Sequence, residues 1–369
     1  MKLPRIALFY GGNSPEHQVS ISSAENIFNK LVECGYECIP IWVSYDMHWY
    51  VQPARTPLAH TGDEHNEIMV QFGTGMFRFV HDSSILSVDL CFPIIHGNYG
   101  ENGIIQGVFE ACNLPYIGCG LTSSALGMHK HLAKQIVQTH QIPTVPWKLL
   151  DRQTFEMFMK HDSIGSYASE LETSLGKRIC AKPDDGGSSV GVHIIDVTDL
   201  SRLRENIEDV FRYSDACLFE SYIGNMIEIE CAVLEDHGAL VVSQAGSIID
   251  PQGYSGGFLT YDSKYAQTHG AYLEIPAPIE SHAIEKIRAY ALNAAKVLRV
   301  QGFARVDFFY QPKDDTIYFN EINTLPGMTA TSHFPRLIQH STYAWHRLFA
   351  CLVEAANARY QLQNKRKYG

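Results

Sequence analysis

Arg305-Val306-Asp307-Phe308-Phe309 and Tyr318-Phe319-Asn320-Glu321-Ile322-Asn323 are two strand-like runs joined across a Pro312 to Asp315 turn. Side chains alternate faces along a strand, so Arg305 and Asp307 share one face, and Glu321 and Asn323 share one. If the strands pair, a guanidinium, two carboxylates and an amide oxygen converge. Such hard oxygens suit Mg²⁺, which takes carboxylates together with phosphate oxygens. Taken alone, the hairpin is equally consistent with a polar outer face carrying a cross-strand salt bridge. Asn323-Thr324-Leu325-Pro326-Gly327-Met328-Thr329 follows at once. This tight Pro-Gly loop can aim backbone N–H groups at a charged atom.

Upstream, Ile179-Cys180-Ala181-Lys182-Pro183 ends a strand with a lysine, and Asp184-Asp185-Gly186-Gly187-Ser188-Ser189-Val190-Gly191 follows it. A Gly/Ser-rich loop offers unhindered N–H groups to phosphate oxygens. It is not a P-loop, because no Gly-Lys-Ser/Thr follows. Leu218 to Ile223 reads as a linker that could pass an adenine edge, and Glu228 could meet a ribose. Gly257 to Tyr265 is aromatic and glycine-rich with one lysine, Lys264, and reads as part of a lid over 253–270.

The first third alternates strand and helix. Ile6 to Tyr10 is a continuous apolar run, as a buried parallel strand needs. Gly11-Gly12-Asn13 breaks it, and a helix follows with Ser22 and Glu25 spaced as a capping box. Cys38 to Val43 and Leu86 to Ile95 read as further strands, and 96–107 as a functional loop. The pattern predicts an open parallel sheet with ligands beyond the strand C-termini. A helix is expected from Thr122 to Gln138, then strands at Arg178 to Lys182, Val190 to Ile195, Cys217 to Glu220, Glu228 to Leu234 and Leu240 to Ser247. His282 to Leu298 carries an apolar face, and Trp345 to Leu352 marks a final core helix. The basic end Lys365-Arg366-Lys367 reads as a frayed tail. Boundaries fall near 125 and 215: 1–125 as an α/β substrate domain, 126–215 as a central lobe, and 216–369 as a C-terminal lobe with lid and metal site.

The chain has 369 residues, 45% of them apolar, and a formal net charge of −11. That size and hydrophobicity predict a multidomain globular protein. The acidic balance argues against a sequence-independent nucleic-acid binder. No apolar run has the ~18 residues of a membrane helix, and Met1 leads straight into a strand-like run without a secretory h-region. The nine cysteines are scattered in apolar runs, which predicts reduced core thiols in a cytoplasmic protein.

The order of these pieces resembles the ATP-grasp fold: Lys182-Pro183, the Gly-Ser loop, Glu220, Arg-x-Asp at 305–307 and Glu-x-Asn at 321–323. The expected fold class is α/β, an N-terminal Rossmann-like sheet followed by a two-lobed ATP-grasp unit. Gly11 to Ser20, His96 to Gly103, Gly186 to Gly191, Tyr261 to Tyr265 and Asn323 to Thr329 are similar to the D-alanine–D-alanine ligase family, and cover essentially the whole chain in order. The resemblance implies ATP and two Mg²⁺ (Mn²⁺ substituting), D-alanine as substrate, D-alanyl-D-alanine as product for peptidoglycan, a homodimer and no membrane partner. It implies that Glu16 holds the first D-Ala ammonium, with His96 close to the carboxylate, and that Ser188 links Glu16 to Tyr265. Lys130, Lys182 and Lys264 would neutralise phosphates. Glu220, Ile223 and Glu228 would take adenine and ribose, and Asp307, Glu321 and Asn323 the metals. Arg305 and the Gly327 N–H would meet a tetrahedral intermediate, and Ser332 the second carboxylate.

Some positions depart from the commoner pattern. His17 stands where arginine is frequent, His129 where an acid is frequent, Ser221 where lysine is common, and His333 is unusual beside Ser332. Other readings are a sister ligase using D-serine or D-lactate, a non-catalytic nucleotide-binding scaffold, and a dehydrogenase. Gly11-Gly12-Asn13 lacks the G-x-G-x-x-G spacing the last would need.

Overall fold

Ile6 to Tyr10 are fully buried and form the centre of β1 (Arg5–Gly11) in a computed structural model that describes residues 3–249 and 272–366. β1 pairs in parallel with β2 (Glu37–Val43) and β7 (Leu90–Pro93). Beyond β2 the sheet turns antiparallel through β3 (Trp49–Val51), β4 (Glu67–Gln71), β5 (Met76–Phe79) and β6 (Ile85–Leu86). The sheet is therefore mixed, with its parallel core at β2-β1-β7. The strand expected over Leu86 to Ile95 is two strands, because Asp89 bonds back to Arg5: its Oδ2 accepts from Arg5 N at 2.7 Å.

Helix α1 (His17–Glu33) starts before the Ser22–Glu25 box. Ser22 lies inside it and donates to Gln18 O at 3.1 Å, so it is no cap. After α2 (Ile104–Ala111), the helix expected from Thr122 to Gln138 is split into α3 (Leu121–Met128) and α4 (Lys130–Thr139). His129 between them is extended, at φ −84° and ψ 99°. The break has a tertiary cause: His129 bridges to Asp185, and Lys130 N donates to Asp184 O at 3.0 Å.

A second, antiparallel sheet runs in the order β10-β9-β11-β8. It contains β8 (Trp147–Asp151), β9 (Arg178–Pro183), β10 (His193–Asp196) and β11 (Ala216–Ser221), with α5 (Arg152–Lys160), α6 (Ile164–Leu175) and α7 (Leu200–Val210). β10 begins later than Val190 because Ser188, Ser189 and Gly191 all take positive φ and form a turn.

The third sheet is ordered β15-β14-β12-β16-β17, with β13 also on β12. Its strands are β12 (Ile227–Asp236), β13 (Ala239–Val242), β14 (Gly246–Ile249), β15 (Tyr272–Glu274), β16 (Phe303–Gln311) and β17 (Thr316–Asn323). The strand expected over Leu240 to Ser247 breaks at Ser243, whose Oγ accepts from Ala232 N at 3.0 Å. Three helices complete the described chain: α8 (Ser281–Val297), α9 (His333–His340) and α10 (Trp345–Arg366). Lys365 and Arg366 belong to α10 rather than to a frayed tail. Lys264, Tyr265, the expected lid and Lys367 lie outside the described residues.

One apolar cluster joins the first and third sheets, with Phe92, Phe303 and Phe334 in contact across it. Buried Arg359 of α10 donates to Tyr116 O and Gly118 O, and its guanidinium stacks 3.9 Å from the Tyr116 ring centre. Those bonds satisfy a buried charge that would otherwise be costly. The nine cysteines are free thiols. Among the described residues no helix is long and apolar enough to cross a membrane.

Candidate active site

The β16–β17 register places Arg305 opposite Asn323 and Asp307 opposite Glu321. Arg305 donates to both oxygens of Asp307, at 2.8 and 2.7 Å, in a bidentate fork. Its Nε also lies 3.4 Å from Glu230 Oε2 on the other side, where β12 sets Glu230 opposite Asp307. Burial, with the Glu230 and Glu321 carboxylates, pushes the Asp307 carboxyl up to about 6, although Arg305 pulls it down. Asn323 Oδ1 accepts from Leu325 N at 3.0 Å, which orients the amide.

Glu228, Glu230, Asp307 and Glu321 line one cleft. Carboxylates this close raise one another's proton affinity, and a divalent cation among them relieves the repulsion. The residues present therefore fit a hard divalent metal. Sequence reading singled out Glu228 and missed Glu230. The signal was available, because two residues apart on one strand means one shared face.

Facing those carboxylates are the lysines. Lys134 of α4 has no exposed side-chain surface, and it lies 2.8 Å from Glu220. Lys182 at the end of β9 lies 2.9 Å from the same carboxylate. Burial opposes the Glu220 charge, but the two ammonium groups win and hold its carboxyl down to about 2. The Glu220 side chain is thus the buried counter-ion of two lysines, which leaves its backbone to meet an adenine edge. Ile223 follows β11, half-buried beside Gly224, whose O accepts from Gln311 at 2.9 Å. Lys130, at the first turn of α4, donates to Gly186 O and lies 3.6 Å from Glu321 Oε2. Lysines, glycine loop and carboxylate hairpin line one open cleft, with Lys130 and Lys182 beside Glu228, Glu230, Asp307 and Glu321. Cations and carboxylates in one cleft suit a phosphate-bearing ligand together with its metal.

The glycine loop also reaches the first sheet. Glu16 precedes α1 and is buried. Ser188 Oγ donates to Glu16 Oε1. A Cβ on Gly97 would sit 2.9 Å from Glu16 Oε2 and one on Gly187 3.2 Å away, so both glycines let the backbone come close to that carboxylate, and Gly97 also takes a positive φ of 79°. Buried His96 lies close by, its Nε2 3.0 Å from Ser23 Oγ and its Nδ1 3.3 Å from Glu101 Oε1. Burial works against its charged form, but Glu101 and Glu16 outweigh it and raise its pKa.

Ser23 Oγ accepts from Met328 N at 3.3 Å, which joins His96 to the Pro-Gly loop. In that loop a Cβ on Gly327 would meet Ser332 Oγ at 2.9 Å. Ser332 Oγ accepts from Thr329 N at 3.0 Å. His333 Nδ1 sits 2.8 Å from Glu230 Oε2, so this histidine joins the Arg305 cluster through Glu230. The Ser188–Glu16 bond and the Ser23 links thus join the Glu16 site to the lysine cleft and the Pro-Gly loop.

Two family models match this chain: the D-ala D-ala ligase N-terminus over residues 5–119 and the D-ala D-ala ligase C-terminus over residues 136–354. The chain is 32% identical to D-alanine–D-alanine ligase A of Bradyrhizobium diazoefficiens, over 99% of this chain and 98% of that one. It is 34% identical to D-alanine–D-alanine ligase of Treponema pallidum, over 96% and 88%. Among solved structures, the D-alanine-D-alanine ligase from Coxiella burnetii superposes with a TM-score of 0.82 at 31% identity, over 99% of this chain and 97% of that one. VanG D-Ala:D-Ser ligase from Enterococcus faecalis does so with 0.79 at 30%, over 96% and 99%. Matched along nearly its whole length, the chain belongs to the D-alanine–D-alanine ligase family of ATP-grasp enzymes, which use ATP and a divalent metal.

Proposed function

We propose that this chain joins two D-alanines into D-alanyl-D-alanine through a D-alanyl phosphate, for peptidoglycan synthesis. The observation that carries the reading is the Ser188–Glu16 bond, which joins a buried carboxylate to the glycine loop of the lysine and carboxylate cleft. Glu16 holds the ammonium of the first D-Ala, and His96 stands near its carboxylate. Lys130, Lys182 and Lys264 offset phosphate charge, Glu228 takes the ribose, and the chain at Ile223 passes the adenine edge. Two Mg²⁺, with Mn²⁺ as a substitute, would be held by Asp307, Glu321 and Asn323 and supply charge neutralisation at the phosphates.

A carboxylate is a poor electrophile. Its oxygen attacks the γ-phosphorus, the bond to the ADP oxygen breaks, and an acyl phosphate forms. The amine of the second D-Ala, placed by Ser332, then attacks the acyl carbon. Arg305 and the Gly327 N–H meet the oxyanion before phosphate leaves. The acyl phosphate must be kept from water, which gives 253–270 its role as a lid, with Tyr265 closing on Ser188 and Glu16. The functional divisions are 1–125, 126–215 and 216–369, and the enzyme works as a cytoplasmic homodimer on small molecules alone.

D-serine as the second substrate is the other reading. His333 beside Ser332 favours it, since a ring nitrogen can hydrogen-bond an acceptor hydroxyl. A competition assay with ATP, Mg²⁺ and equal D-Ala, D-Ser and D-Lac at pH 7, read by phosphate release and mass spectrometry, separates them. D-Ala–D-Ala should dominate. No phosphate release with D-Ala and ATP rejects the ligase; a D-Ala–D-Ser majority that disappears in His333→Leu reassigns the acceptor. For the metal, Glu321→Ala should lose Mg²⁺-dependent nucleotide binding by calorimetry, and unchanged Mg-ATP affinity would contradict its role.

A further inference from the structure

Outside the carboxylate hairpin, among the described residues, one cluster combines two imidazoles with a buried carboxylate: His129, His131 and Asp184. His129 Nδ1 lies 3.1 Å from Asp184 Oδ2, and His131 Nδ1 lies 2.7 Å from the same oxygen. The other carboxylate oxygen accepts from His131 N at 2.8 Å. The Asp184 side chain is only 2% exposed, whereas His129 is 41% and His131 19% exposed. One buried oxygen is thus shared by two ring nitrogens, and His129 is the more exposed of the two rings.

We propose that His129, His131 and Asp184 form a second, separate metal site that takes a borderline divalent ion of the Zn²⁺ class. The donor set argues for the ion. Two imidazole nitrogens and one carboxylate oxygen suit Zn²⁺, Co²⁺ or Ni²⁺, whereas Mg²⁺ prefers oxygen ligands alone. The spacing argues the same way. A tetrahedral ion at 2.0–2.2 Å from each ligand needs ligand atoms about 3.3 Å apart. The three ligand atoms lie within 4.8 Å of one another, with the two Nδ1–Oδ2 separations at 3.1 and 2.7 Å, which is close to that spacing.

The proton balance is also met. Where Nδ1 carries the ring proton, water takes it and returns one to Nε2 as Nδ1 binds the metal, so no net proton is released. The remaining hydrogen bond from His131 N to Asp184 fixes the carboxylate, as outer bonds do in metal sites. Water fills the fourth position.

The fold gives the site a consequence. His129 and His131 flank Lys130, and Asp184 opens the loop that carries Gly186 and Ser188. A bound ion ties the start of α4 to the start of the glycine loop. It braces both, and none of its three residues lines the cleft.

The test uses tag-free full-length protein in saturating Mg²⁺. Zn²⁺ is titrated by calorimetry and Co²⁺ by its visible absorption. One ion per chain should bind, with the Co²⁺ bands of a four-coordinate nitrogen–oxygen site, and Glu321→Gln should leave both readouts unchanged. His129→Ala and His131→Ala should each weaken binding about tenfold or more. His129 is the more exposed residue, so its variant tests the site without a buried change. Zn²⁺ binding unaltered in both histidine variants overturns the proposal. So does absence of uptake, or uptake that disappears in Glu321→Gln, which would place the ion at the carboxylate hairpin.

Discussion

Arg305→Ala should lower turnover by about 10²-fold or more and leave ATP affinity nearly unchanged, because its assigned partner is an oxyanion that exists only after chemistry begins. The geometry adds a second effect. Arg305 is the cation between Asp307 and Glu230, bidentate to the first and 3.4 Å from the second. Removing it leaves two buried carboxylates without that charge, a class of change that destabilises by about 3–5 kcal/mol. Arg305→Lys separates the two effects. A lysine restores the charge but not the planar fork, so thermal stability should recover more than turnover does. Single-turnover kinetics and melting curves on both variants are the measurement. Near-native turnover in Arg305→Ala refutes the oxyanion assignment.

Glu220→Gln should be the most destabilising change in the cleft. The carboxylate is 1% exposed and sits between ammonium groups 2.8 and 2.9 Å away. The neutral amide leaves Lys134 and Lys182 buried beside each other, at a cost of about 3–5 kcal/mol. A pH signature accompanies it. Glu220 is held down to about 2 in the folded chain, below its ordinary 4.5. A carboxylate with a depressed pKa stabilises the fold above the unfolded value, and that stability is lost as pH falls from about 4.5 towards 2. The drop corresponds to about 3 kcal/mol. Urea unfolding between pH 7 and 3 should therefore show wild-type stability falling more steeply than that of Glu220→Gln. Equal slopes would show that the two lysines do not hold this carboxylate.

Much of the fold was legible locally, and the family likeness spanned the chain in order. The run Ile6 to Tyr10 announced a strand covered on both faces. The two-residue spacing of Arg305 with Asp307, and of Glu321 with Asn323, placed each pair on one face whatever the register. Period-two alternation is a property of the strand itself, so those readings needed no knowledge of neighbours. The register that sets Asp307 against Glu321 came from strand pairing. The helix break at His129 was not legible, because its cause is a bridge to Asp185, more than fifty residues away in the chain.

The same division holds at the site. Lysine and glycine-loop chemistry could be read from residue types. That Glu220 would be consumed by Lys134 and Lys182 could not, since α4, β9 and β11 supply one group each. That Glu230 shares a face with Glu228 could have been read from their two-residue spacing; that Arg305 and His333 stand on either side of it could not, because other elements bring them there. His129 and His131 are two residues apart, yet the carboxylate that both address, Asp184, is brought to them by the end of β9. Local spacing decides which side chains share a face. Whether a buried charge becomes a ligand, a counter-ion or a catalytic group is decided by long-range packing, because burial makes its pairing obligatory.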